Sequence, residues 1–202
     1  MDQVPLDDRR TYELLKRGDT AGVFQLESAG MRELVRRVGV DSMEDLMALI
    51  ALYRPGPIAM LDEYVNRKAG RTPVVYEHPL LEPILRETHG VLLYQEQVLM
   101  VAHTLAGYSL AESDTLRRAM AKQNQGLMDA QQAKFVAGCA HAHRIPSATA
   151  VRIFETLARF ANYGFNKSHS AAYALVCYQT AWLKANHPVE FMAALLTSEI
   201  GN

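Results

Sequence analysis

Apolar residues recur along this chain at helical spacing, in blocks separated by Gly, Pro and Asn. Leu6, Leu14 and Leu15, with Tyr12 among charged neighbours, predict a helix from Leu6 to Arg17 closed by Gly18. Met31, Leu34, Val35 and Val38 carry a second from Ser28 to Val38, stopped by Gly39. Asp41, with Glu44 three residues on, is placed to cap a third, whose buried stripe is Leu46, Leu49, Ile50 and Tyr53. Arg54-Pro55-Gly56-Pro57 ends it, because each proline restricts its own φ and the residue before it. Further helices are expected over Ile58–Lys68, over Leu80–Arg86 and within Gly90–Ala106 after an extended turn. The Ser109–Glu112 capping box opens another, which continues or restarts to about His143. The last three run from Pro146-Ser147 to about Phe160, over Ser170–Lys184, and over Pro188–Ile200 with proline in its favoured first position. Only Val23–Leu26 and Val74–Tyr76 read as extended. The expected fold class is mainly α, a multi-helix body with at most one or two short strands. Its organisation is read as an N-terminal lobe over residues 1–40 and a helical body over 41–202.

The stretch Tyr163-Gly164-Phe165-Asn166-Lys167-Ser168-His169-Ser170-Ala171-Ala172-Tyr173 stands out for its chemistry. Gly164 and Asn166 break one helix, and Ser168 or Ser170 can cap the next. Unpaired amides at that helix start, its positive dipole end and the Lys167 ammonium would converge on one small volume suited to a phosphate. His169 and Tyr173 are four apart and share a face, where they can flank a sugar or base. The alternative is a capped helix with a solvated lysine and a packed tyrosine. Arg118 and Lys122, also one turn apart, can grip an oxyanion together, or Asp114 can hold Arg118 in an intrahelical ion pair. Arg54, on its rigid corner, reads equally as a phosphate or base contact and as a cap on the last carbonyls of the preceding helix. The polar insert Tyr94-Gln95-Glu96-Gln97 lies in an apolar surround and needs partners, for structure or for function.

Composition narrows these choices. The chain has 202 residues, 49% of them hydrophobic, enough for one or two domains with a real core. Cys139 and Cys177, the only two cysteines, suggest neither a disulfide framework nor a zinc site, and a cytoplasmic location is expected. The most apolar run, Ala171 to Leu183, is short and interrupted by Gln179 and Thr180, so no membrane partner is expected. The formal net charge of -1 hides an asymmetry. Between Arg117 and His187 stand nine Lys or Arg against Asp129 and Glu155, while the remainder holds twelve bases and twenty acids. Such a segment suits a polyanion-facing surface or an ordinary set of solvated helix faces.

Reactive groups are scarcer. His141 and His143 diverge on a helix and lack a third ligand, so no metal is expected there. Walker and dinucleotide glycine loops and a G-x-S-x-G elbow are absent. The acids are scattered singly apart from Asp7-Asp8, without the cluster that metal-assisted phosphoryl transfer requires. The chain reads as able to bind a phosphorylated ligand but not to react it, with no catalytic residue of its own.

Several motifs match a known family in order. Phe24-Gln25-Leu26-Glu27-Ser28, Ala51-Leu52-Tyr53-Arg54-Pro55-Gly56-Pro57, Tyr94-Gln95-Glu96-Gln97, Leu116-Arg117-Arg118-Ala119-Met120, Tyr163 through Tyr173, Tyr178 through Ala185 and Pro188 through Ala194 resemble the fingers region of bacterial replicative DNA polymerase III alpha subunits. The resemblance covers the chain from about Val4 onward. It implies a helical fingers fragment, truncated at its C-terminal end, of a longer DNA-directed DNA polymerase that uses Mg2+. The metal-binding aspartates would belong to a palm upstream of Met1, so the isolated fragment is expected to be inactive. Implied partners are template-primer DNA, deoxynucleotide triphosphates, the palm and thumb of the same parent chain, and replicase subunits such as the sliding clamp and proofreading exonuclease. Arg117, Arg118, Lys122, Asn166, Lys167, Ser168, His169 and Tyr173 fall on motif positions nearest the nucleotide, and Arg54, Tyr94, Gln95, Glu96 and Gln97 on positions for DNA contact or pocket support. Where the family commonly has Gly-Lys-Lys-Lys after Arg-Arg-Ala-Met, this chain has Ala121-Lys122-Gln123-Asn124, two positive charges fewer. A freestanding nucleic-acid-binding module and a protein-interaction scaffold are the alternatives.

Overall fold

A computed structural model describes residues 4–121, 125–160 and 163–200. Among these, the periodic segments form α1 (Arg9–Lys16), α2 (Ala29–Val38), α3 (Met43–Leu52), α4 (Leu61–Lys68), α5 (Glu82–Leu85), α6 (Gln95–Ala106), α7 (Leu110–Ala121), α8 (Gln125–His143), α9 (Ser147–Phe160), α10 (Lys167–Asn186) and α11 (Pro188–Glu199). Short 3-10 turns precede α4 and flank α5. None of these helices is long and apolar enough to cross a membrane.

Local chemistry sets the ends. Asp8 and Ser28 accept hydrogen bonds from the third amides of α1 and α2, at 2.9 and 3.2 Å, and Gly39 closes α2 in the left-handed region at φ 63°. The cap of α3 is Ser42 rather than Asp41. Ser42 has the extended backbone a cap requires and accepts from the Asp45 amide at 3.2 Å, while the Asp45 carboxylate reaches back to the Asp41 amide.

The two segments that read as extended form no strand among the described residues, within the expectation of at most one or two. Val23–Leu26 is a pair of turns, with Val23 N–H on Thr20 O, Leu26 N–H on Val23 O, and Gln25 at φ 64°. With no neighbouring strand to accept ladder bonds, the backbone satisfies itself locally and still buries Val23 and Leu26. Val74–Tyr76 is irregular. The one β-type pairing described is an isolated parallel bridge between Tyr94 and Phe165.

The chain divides into two units, Met1–Arg54 with Ser168–Asn202, and Pro55–Lys167. In the first, Tyr178 ties the chain start to α10: its hydroxyl donates to Pro5 O and accepts from the Asp8 amide, each at 2.9 Å, and its ring lies 5.3 Å from Tyr12. Lys184 holds the turn after α1 through Asp19 and the Ala21 carbonyl, both at 2.9 Å.

In the second unit α6 packs on α7 and α8, and α8 on α9. Val98, Val101, Leu105, Leu116, Phe135, Ile153, Leu157 and Phe160 fill the space between them. Phe135 links two rings, 6.4 Å from Tyr108 and 5.7 Å from Phe154. A cavity of about 560 Å³ opens beside this core, with Gly56 and Tyr163 among its lining residues. A side chain at Gly138 of α8 would run into the Ala106 carbonyl group at the end of α6. Gly138→Ala should therefore lower stability by about 1–3 kcal/mol through overpacking, although alanine gains up to about 1 kcal/mol over glycine in an open helix. Chemical denaturation checks this, and a raised midpoint would refute it.

Candidate functional site

The loop Tyr163–Lys167 is fastened to the start of α6. Gln95 N–H donates to Phe165 O at 2.9 Å and Phe165 N–H to Leu93 O at 3.0 Å, while Gln95 Nε2 donates to Gly164 O at 3.0 Å. The buried Gln97 serves α6 itself: its Oε1 accepts from the amides of Leu93 and Tyr94, and its Nε2 donates to Thr88 Oγ1 at 2.9 Å. The Gln95 and Gln97 side chains of the polar insert are thus engaged in a hydrogen-bond network. The Tyr163 ring abuts Gly56, where φ is 95° and an added Cβ would stand 2.6 Å from ring carbons, so the Pro-Gly-Pro corner and this loop need glycine at that contact.

Neither serine caps α10. The helix begins at Lys167, three residues before the expected start, and the Lys167 amide donates to both carboxylate oxygens of Glu96, at 3.1 and 3.0 Å. Asn166 Nδ2 donates to the same carboxylate at 3.3 Å. Ser170 is buried and donates to Met47 O, while Ser168 is exposed. The Lys167 ammonium meets both oxygens of Glu87, at 2.8 and 2.7 Å, and lies 5.7 Å from the centroid of the Tyr94 ring. The helix start does receive an anion, but from the protein. Glu87 escaped sequence reasoning because it stands 80 residues from Lys167, with no local spacing to mark it.

A second group of candidates lies on α7. Arg117 donates to Asp114 Oδ1 through Nε and Nη2, at 3.1 and 2.9 Å, and Arg118 Nη2 meets Asp114 Oδ2 at 2.6 Å. Arg118 keeps 70% of its side-chain surface exposed, against 22% for Arg117. The hydrogen bond from Arg117, followed by the charges of both arginines, holds the Asp114 carboxyl below its usual range. Lys122 lies outside the described residues. The expected capping box forms: Glu112 Oε2 accepts from the Ser109 amide and hydroxyl, both at 2.8 Å, and Oε1 from Lys134 at 2.8 Å. Lys134 first, and then Ser109, press the Glu112 carboxyl down to about 2.

In the first unit, His169 and Tyr173 share a face of α10 and stack at 4.2 Å between ring centroids, with Phe24 at 5.5 Å from Tyr173. Arg54 Nε donates to Ala51 O at 2.9 Å, capping the last turn of α3. His143 Nε2 pairs with Thr104 O at 2.7 Å, and among the described residues no three His, Cys, Asp or Glu side chains gather as a metal site.

A family model for the bacterial DNA polymerase III alpha subunit finger domain matches residues 1–143. The chain belongs to this family. Among its relatives, the DNA polymerase III subunit alpha of Caulobacter vibrioides is 54% identical over 200 residues, covering 99% of this chain and 17% of that protein. The subunit from Pseudomonas aeruginosa is 50% identical over 209 residues, with coverage of 100% and 18%, and that from Escherichia coli 48% over 206 residues, with 98% and 18%. The chain spans less than a fifth of the length of these relatives. In this finger domain, α9 to α11 and the loop before α10 follow the segment matched by the family model but lie within the stretch shared with the whole subunits.

Two outcomes test the geometry. Glu96→Ala removes the acceptor of the Lys167 amide and should destabilise the start of α10 by about 1 kcal/mol, seen as faster hydrogen exchange over the first turn. Unchanged protection would argue against the cap. Glu112 titrates near 2 when folded and near 4.5 ordinarily, so its contribution is present above about 4.5 and lost as pH falls toward 2. Unfolding midpoints followed from about pH 6 down to about pH 2 should fall less in Glu112→Gln than in the parent chain. Equal falls would show that the box does not titrate with stability.

Proposed function

We propose that this chain is the fingers portion of a Mg2+-dependent, DNA-directed DNA polymerase and binds the incoming deoxynucleotide triphosphate and template-primer DNA. The observation that carries this reading is the 50–54% identity with polymerase alpha subunits over a stretch that takes in almost the whole chain. In such a reaction the primer 3′-hydroxyl attacks the α-phosphorus and pyrophosphate leaves. Positive groups that meet the developing phosphate charge lower the barrier. Arg117, Arg118, Lys122 and Lys167 take that role in our reading, with Asn166 and Ser168 as neutral hydrogen-bonding neighbours and His169 and Tyr173 at the sugar or base. Tyr94, Gln95, Glu96, Gln97 and Arg54 act as pocket support, in keeping with the bonds they make to the loop, to α6 and to α3.

Resident Mg2+ does not fit the described residues. Among the described residues no three carboxylate, thiol or imidazole side chains gather, and Glu87 and Glu96 are engaged by Lys167. The ion is therefore assigned to residues outside this chain, and no step is derived through it. Cytoplasmic location, a palm and thumb in the same polypeptide, and clamp and exonuclease subunits as partners belong to the same reading.

Arg118→Ala in the full-length polymerase should reduce kcat/KM for deoxynucleotide by about tenfold or more, the scale of one charge-assisted phosphate contact. Steady-state incorporation measures it, and an unchanged nucleotide dependence would overturn the assignment of Arg118.

A further inference from the structure

We propose that Glu87 sets the nucleotide affinity of this site by holding Lys167 in an ion pair that an incoming phosphate must exchange. The inference rests on the reading of Lys167 as a triphosphate contact. Glu87 meets the ammonium with both oxygens, at 2.8 and 2.7 Å, and Glu96 already occupies the helix amide. One cation and two carboxylates therefore make a locally negative cluster while the pair is closed. A phosphate gains Lys167 only by displacing Glu87.

The geometry lets that exchange proceed at modest cost. Lys167 and Glu87 side chains are 37% and 32% exposed, so the pair is partly screened and Glu87 retains access to water when released. A triphosphate carries more charge than one carboxylate and forms charge-assisted bonds at least as strong. The Lys167 backbone stays on Glu96, so the exchange moves a side chain and leaves the start of α10 in place. Glu87 is thus an affinity-determining residue that acts through Lys167.

The test is the deoxynucleotide KM of the full-length polymerase carrying Glu87→Gln, Lys167→Met or both. Removing the competing charge in Glu87→Gln should lower KM by about twofold to fivefold, the range of a partly exposed ion pair. Lys167→Met should raise KM, and the double variant should keep the Lys167→Met value. A merely structural Glu87 gives the opposite sign, because a loosened lysine binds phosphate less well. If Lys167→Met raises KM while Glu87→Gln leaves it unchanged or raises it, the exchange is overturned and the nucleotide reading stands. If Lys167→Met leaves KM unchanged, the nucleotide reading of Lys167 fails and takes the exchange with it.

Discussion

The bond from the Lys167 amide to the Glu96 carboxylate joins the end of the loop Tyr163–Lys167 to the first turn of α6, across 71 residues of sequence. A helix start leaves amides without partners and carries a partial positive charge, so a carboxylate there is stabilising. The consequences spread outward from that bond. Glu96 stands on α6, which packs on α7 and α8 at the centre of the second unit and is anchored at its own start by Gln97. The loop Tyr163–Lys167 is tied to the start of α6 through the backbone bonds of Phe165 and the side chain of Gln95.

Charge is arranged by the same long-range logic. The stretch from Arg117 to His187 holds many bases and few acids, yet six of its cations pair with carboxylates that lie outside it. Arg117 and Arg118 share Asp114, Lys134 pairs with Glu112, Arg152 with Glu77, Lys167 with Glu87 and Lys184 with Asp19. Each such pair contributes little to stability. Together they offset part of the positive charge of this segment, which weakens a fixed attractive field for polyanions and leaves cations that a more highly charged ligand can capture.

The two cysteines fit a purely structural part. Burial pushes the Cys139 thiol up to about 11 and the Cys177 thiol up to about 12, so neither forms a thiolate near neutrality. Cys177 instead lies 3.0 Å from Phe24 O, beside the Thr180 hydroxyl that accepts from the Phe24 amide. These contacts hold in place the turn that follows α1, the segment that looks extended on paper.

The amino-acid pattern by itself determined the helices, because the spacing of apolar residues and the identity of caps act within one or two turns. Ser28, Gly39, the Ser109–Glu112 box and the i to i+4 pair of Asp114 and Arg118 are all of that range. So is the shared face of His169 and Tyr173. Only the tertiary structure decided what completes each site. It turned Val23–Leu26 into turns for want of a neighbouring strand and placed the first residue of α10 at Lys167. It also brought Glu87 and Glu96 to a loop that, read alone, asks for a phosphate. A helix start specifies that an anion is favourable, since its amides and dipole are local. Which anion arrives depends on side chains dozens of residues away, and their approach is fixed by packing of the core.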